Sequence, residues 1–187
     1  SLLERNCIIK RTLDGVWILT EKLEALDVPD SIEELIKVRL SLLRDEETRE
    51  LEKASVIGRE FAYQLLKDLS DRDEDILIGY LEEYLDYRII EELNDRDDTY
   101  RFTHGKIQEV IYKEIQSIRR RKLHRRVAEL LEIVYANNLV KYSPIIAHHF
   151  ICGSDNDKAL KYLILSGIEN ARVYANDEAI RSFEIAI

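Results

Sequence analysis

Residues 73–104 constrain this chain most, because they run an amphipathic helix almost directly into a β-hairpin. The segment DEDILIGYLEEYLD places Leu77, Tyr80, Leu81, Tyr84 and Leu85 at helical spacing, which predicts one core-facing stripe. Asp73, Glu74, Asp75, Glu82, Glu83 and Asp86 are left for the wet face, with no Lys or Arg among them. Gly79 sits mid-segment and weakens such a helix by about 1 kcal/mol relative to Ala, unless close packing requires it. Two short alternating runs follow, RIIEEL and TYRFTH, split by the polar tip NDRDD. In that tip Asp95, Asp97 and Asp98 face a single cation, Arg96.

Three further helices are expected upstream. Asp30 or Ser31 can cap the first, with Glu33 and Glu34 placed for a capping box. Ile32, Leu35, Ile36, Leu40 and Leu43 predict its buried stripe. Asp45 is the expected cap of the second, with Leu51, Ala54 and Ile57 inward and Gly58 as its end. Phe61, Leu65, Leu66 and Leu69 mark a third, short helix, and residues 70–73 offer caps for the acidic helix. Helices followed by a helix and hairpin are the order of a winged-helix domain. In the DNA-binding version, a recognition helix enters the major groove. Duplex DNA is bound by neutralising phosphates with cations, and a carboxylate-lined helix would be repelled. The module therefore reads as a protein–protein or intramolecular element, with a DNA-binding regulator as the alternative.

Before it, CIIKR and VWILT flank Thr12-Leu13-Asp14-Gly15, a hairpin signal that gives Trp17 a strand to pack on. After it the chain reads as helical throughout. Ile107, Val110, Ile111, Ile115 and Ile118 form one stripe, and Leu123, Val127, Leu130, Leu131 and Val134 form another. The step from Ile118 to Leu123 rotates the stripe by about 140°, which predicts a break near Gln116-Ser117 with Ser117 as cap. Asn137-Asn138 closes the second helix, and others are expected near residues 143–152, 156–174 and from 176 onward. Gly167, Ala179, Phe183 and Ala186 follow the small-and-aromatic spacing of tetratricopeptide repeats, where small residues let paired helices approach closely.

Composition limits the function classes. A hydrophobic content of 45% with 35% charged residues describes a folded chain, and the net charge of −9 opposes general nucleic-acid affinity. No apolar run reaches the roughly 18 residues of a bilayer span, and no signal peptide is evident, so a cytoplasmic location is expected. Cys7 and Cys152 stand in no metal-type spacing and are expected as reduced thiols. The lack of any Met and the end at Ile187 within a helical pattern lead us to expect a longer parent protein.

Three features could carry chemistry. Arg119, Arg120, Arg121, Lys122, Arg125 and Arg126 form the concentrated cation patch. If a helix starts near Ser117, they oppose its dipole and call for a compensating partner, either a carboxylate or a phosphate; the alternative is a solvated basic face. His148 and His149 are adjacent, so on a helix they diverge by about 100° and cannot share a metal. His104 and His124 look isolated, so all four are expected as capping or packing residues with no metal site. No nucleophile motif and no G-x-x-x-x-G-K-[ST] phosphate loop is present, so no catalytic residue and no cofactor is assigned.

Several strings in order resemble one family: VPDSIEELIKVRLSLL, EKASVIGREFAYQLL, YRFTHGKIQEVIYKEI, RRRKLHRRVAELLE, AHHF and DKALKYL. They are similar to the region after the nucleotide-binding core in STAND-class signalling ATPases, large P-loop regulators, and span residues 28 onward. The resemblance implies a mainly α chain with a small N-terminal β-hairpin at residues 1–30. A winged-helix domain of three helices plus a hairpin would occupy 31–118, and tetratricopeptide-like helices 119–187. It implies a non-enzymatic regulatory and interaction segment, whose partner is its own upstream nucleotide-binding domain or another protein. ATP with magnesium would belong to that upstream domain. A plain interaction scaffold is the remaining alternative.

Overall fold

A computed structural model describes the backbone of residues 9–11 and 17–19, then residues 32–93 and 98–172, with positions 180, 182, 184 and 185. The expected turn at 12–15, the Trp17 side chain, the caps Asp30 and Ser31 and the tip residues Asp95, Arg96 and Asp97 lie outside the described residues. So do Ala179, Phe183 and Ala186 of the repeat-like spacing. The chain divides into two compact units, Ser1–Leu35 and Ile36–Ile187. In the first, strands β1 (Ile9–Arg11) and β2 (Trp17–Leu19) pair antiparallel, with Arg11 opposite Trp17.

The second unit is mainly helical with a small three-stranded antiparallel sheet. Helix α1 (Ile32–Leu40) leads into it, and Ile36 and Leu43 are buried, whereas Ile32 and Leu35 are exposed. Helix α2 (Asp45–Ile57) buries Leu51, Ala54 and Ile57 as its periodicity requires. Its N-cap is Arg44 rather than Asp45, because the Glu47 carboxylate accepts the Arg44 backbone N–H at 2.7 Å. That bond satisfies the end of the helix from inside its first turn. Strand β3 (Glu60–Ala62) follows, then helix α3 (Tyr63–Leu69) and helix α4 (Glu74–Asp86). Phe61, expected in a helix, lies in β3 because Glu60, Phe61 and Ala62 pair with Arg101, Tyr100 and Thr99. A three-residue strand has no periodicity of its own, and only its distant partner defines it.

Strands β4 (Ile90–Glu92) and β5 (Thr99–Phe102) form the expected hairpin, and the sheet order is β3-β5-β4. Phe61 and Phe102 are buried beneath it with ring centroids 5.8 Å apart, a distance at which tilted aromatic pairs attract. Helix α4 buries Leu77, Tyr80, Leu81 and Tyr84 in the core. The Tyr84 hydroxyl donates to the Glu47 carbonyl at 2.5 Å and the Tyr80 hydroxyl to Glu46 at 3.2 Å. These bonds satisfy the polar tips of aromatics that the core has absorbed.

Helix α5 (Gly105–Glu114) and helix α6 (Ser117–Val134) meet at a break at Ile115-Gln116, and Gln116, not Ser117, is the N-cap of α6. A boundary at 118–119 therefore falls in the first turn of α6, and the core cluster continues across it. Ile118 and Val134 are exposed, contrary to the stripe drawn through them, while His124, Val127, Ala128 and Leu131 are buried. A short 3-10 turn, Ala136–Asn138, leads to helix α7 (Leu139–Cys152), which starts earlier than residue 143 despite Pro144. Pro144 cannot donate to the Val140 carbonyl, and the Ser143 hydroxyl does so at 2.7 Å instead. Helix α8 (Asn156–Arg172) returns alongside α7, with Phe150 and Tyr162 stacked at 5.8 Å. Gly153, between them, lies so near α6 that an added Cβ would stand 3.0 Å from the Arg125 backbone nitrogen. None of the described helices is long and apolar enough to cross a membrane.

Among the described residues Gly79 has no such neighbour, and a Cβ there would meet nothing within 4 Å. Close packing within the chain does not require this glycine. Gly79→Ala should therefore raise stability by about 1 kcal/mol through helix propensity, read as a higher urea midpoint with an unchanged slope.

Candidate functional site

The acidic face and the basic cluster lie on different elements and meet different fates. On α4, Asp73 is the N-cap and accepts the Asp75 amide at 3.0 Å. Glu74 is held by the Lys67 ammonium at 2.7 Å and by the Tyr63 hydroxyl at 3.2 Å. The Lys67 bond comes first among the causes that hold the Glu74 carboxyl below its ordinary range. Glu83 lies 3.1 Å from Arg44. Asp75, Glu82 and Asp86 are exposed, with the uncovered Gly79 among them on the same side of the helix. The outward face of α4 is acidic, though cations from neighbouring elements temper both of its ends. In the hairpin, Arg101 is engaged by Glu91 at 2.6 Å, so the strands add no free cation there.

The basic cluster opens α6, where its charges oppose the helix dipole and Gln116 supplies no side-chain cap. Four of its six members find partners on other elements. Arg119 stands 3.2 Å from Glu52 of α2, and Arg120 lies over the Tyr112 ring at 4.9 Å. Arg125 donates to the Gly153 carbonyl at 3.0 Å, and Arg126 reaches Asp71 at 3.5 Å. Arg121 and Lys122 remain exposed. The patch thus fastens α6 to α2, α5, the α3–α4 connection and the end of α7. The Arg119–Glu52 contact is a charge contact, because the Glu52 oxygen makes no aligned hydrogen bond. Burial pushes the Glu52 carboxyl above its ordinary value, with Arg119 acting in the opposite direction.

The histidines are where the residue pattern misled. His104 occupies the exposed N-cap position of α5, but His124 is not isolated. Its Nδ1 lies 2.9 Å from Nδ1 of His149, and its Nε2 shares a hydrogen bond of 2.8 Å with the Tyr112 hydroxyl. Both imidazoles are 2% exposed. His148 turns outward, with Nε2 3.7 Å from the Cys152 sulfur. Burial first, then His148 and Arg120, lowers His124 to about 4. Burial first, then His124 and His148, lowers His149 to about 3. A histidine depressed in the folded state contributes stability that is whole above its unfolded value near 6.5. That contribution is lost as pH falls toward the folded values. The spacing of the tyrosine and histidines carried no signal for this chain, since three helices had to meet first.

Among the described residues, no group of three or more His, Cys, Asp or Glu side chains is arranged to hold a metal ion. An apolar recess of about 210 Å³ lies between β3 and the α6–α7 connection, lined by Phe61, Leu65, Leu131, Tyr135 and Tyr142. Glu60 and Gln64 are the other polar residues of its lining.

Arg119→Ala should cost about 1 kcal/mol at neutral pH, the low end for a charged partner, because its guanidinium is partly exposed. Glu52 binds a proton more readily folded than unfolded, so the loss should shrink as pH falls through the carboxylate range. Urea unfolding at several pH values reads this; a loss independent of pH would remove Glu52 as the partner. No protein-family model matches this chain, and no curated protein or solved structure matches it either.

Proposed function

We propose that this chain is a regulatory, non-catalytic arm of a signal-transducing P-loop ATPase. In this proposal α2, β3, α3, α4 and the β4–β5 hairpin form a winged-helix module, and α6 to α8 begin a tetratricopeptide-like scaffold. The element order, the position of α4 before the hairpin and the antiparallel α7–α8 pair are all compatible with that reading. The observation that carries it is the sign of the charge on α4. The helix that would meet a partner shows Asp75, Glu82 and Asp86, while four of the six cations of the basic cluster contact other parts of the same chain. Such a surface suits a cationic protein face, such as that of a nucleotide-binding domain, and opposes phosphates. Competition between this docking and contacts made by the helical scaffold would shift a closed–open equilibrium.

The rival is a winged-helix transcription regulator, which the same element order would also suit. Charge separates the two. Fluorescence anisotropy at low salt should show no specific duplex binding, whereas nanomolar affinity with a steep salt slope would favour the rival. In the full-length protein, D75K/E82K/D86K should change nucleotide turnover by several-fold. Unaltered turnover in that variant would rule out the docking face.

A further inference from the structure

The junction of α5, α6 and α7 holds a polar chain in an apolar setting: Tyr112 hydroxyl, His124, His149. Its central contact joins two Nδ1 atoms at 2.9 Å, so one proton lies between them and one nitrogen must accept. If both Nδ1 atoms carry protons, two donors face each other and the bond is lost. Protonation at an Nε2 keeps the bond but places a cation where water is excluded. The titratable and charged groups facing the pair are Tyr112 from α5, Arg120 from α6, and His148 and Cys152 from α7. Among the described residues no carboxylate is one of them, and Arg120 already contributes positive charge. Burial holds both imidazoles below the ordinary histidine range, in keeping with this arrangement.

The backbone crossing beside the pair is equally demanding. Gly153 approaches the α6 backbone within the reach of one missing methyl, and Arg125 holds the Gly153 carbonyl at 3.0 Å. The two helices can thus be seated or apart, and little room exists for a loosely seated arrangement.

We propose that the His124–His149 pair is a proton-operated latch: neutral, it seats the α7–α8 hairpin on α6, and acid releases that hairpin before the rest of the fold yields. The latch does not depend on the ATPase reading, since it follows from the junction alone. It makes the attachment of α7 and α8 conditional on proton activity, while the sheet and α2 to α4 contain no comparable buried imidazole among the described residues.

Amide hydrogen exchange on the intact chain at pH 7.5 and pH 5.0, corrected for the chemical rate, tests this. A histidine neutral when closed but free near 6.5 when open favours opening by about 30-fold over that interval. Two together favour it by about 10³-fold, up to the limit set by global unfolding. Peptides of α7 and α8 should lose protection by hundreds-fold, while those of α2 and α4 change little. H124L/H149L replaces both partners with apolar side chains and should abolish the difference. Should that variant fail to fold, imidazole NMR of the unaltered protein decides. His124 and His149 should then keep their neutral form to below pH 5. A uniform loss of protection across all helices, a pH response retained in H124L/H149L, or ordinary titration of the two imidazoles in the folded state would each overturn the latch.

Discussion

The second unit depends on how helix α6 is anchored. A helix that opens with Arg119, Arg120, Arg121 and Lys122 works against its own dipole and would be a poor helix start in isolation. Here Glu52 meets Arg119 and the Tyr112 ring meets Arg120, and further along the Gly153 carbonyl and Asp71 meet Arg125 and Arg126, while Arg121 and Lys122 stay exposed. Those contacts hold Val127, Ala128 and Leu131 in the core that also receives α7. The residues least suited to the local structure are the ones that place it.

Much of this was legible from residue spacing, and the failures share a cause. Leu77, Tyr80, Leu81 and Tyr84 on α4, like Ile107, Val110 and Ile111 on α5, follow the helical period and are buried as it demands. Where a partner decides the outcome, the period is insufficient. Strand β3 exists because β5 pairs with it, and α7 starts before Pro144 because the Ser143 hydroxyl replaces the missing donor. On α6 the apolar stripe holds at Val127 and Leu131, which are buried, and at Leu123 and Leu130, which pack against the core, yet Val134 is exposed and the buried side adds His124 and Ala128. The packing of α7 selected that side, and hydrophobicity alone could not. The basic cluster was visible as a cluster, whereas its anchors lay far away in the chain. The histidine pair was invisible for the same reason.

The distribution of charge has a physical logic beyond the net value of −9. Of the opening cations of α6, Arg119 and Arg126 meet carboxylates of the same chain, Arg120 and Arg125 rest on a ring and a carbonyl, and Arg121 and Lys122 stay exposed. The carboxylates of α4 divide differently. Glu74 and Glu83 are tied to Lys67 and Arg44, while Asp75, Glu82 and Asp86 stay outward on a helix pinned from within by Tyr80 and Tyr84. A charged face on such a well-fixed element loses little conformational freedom on docking, which favours specific association over diffuse attraction.

The Tyr112–His124–His149 chain adds a constraint that apolar packing lacks. Leu or Val at these positions would tolerate a slide of α7 along α6, since dispersion has no direction. A directed Nδ1–Nδ1 bond does not, because any displaced register leaves a buried donor or acceptor unmatched at about 1–3 kcal/mol each. The polar chain therefore specifies one alignment of three helices, and Gly153 permits the close approach that alignment needs. Specificity gained in this way makes the junction sensitive to protonation, because the accepting nitrogen that defines the register can itself take a proton. A junction of leucines would be indifferent to acid, with its register held by packing and the Gly153 crossing alone.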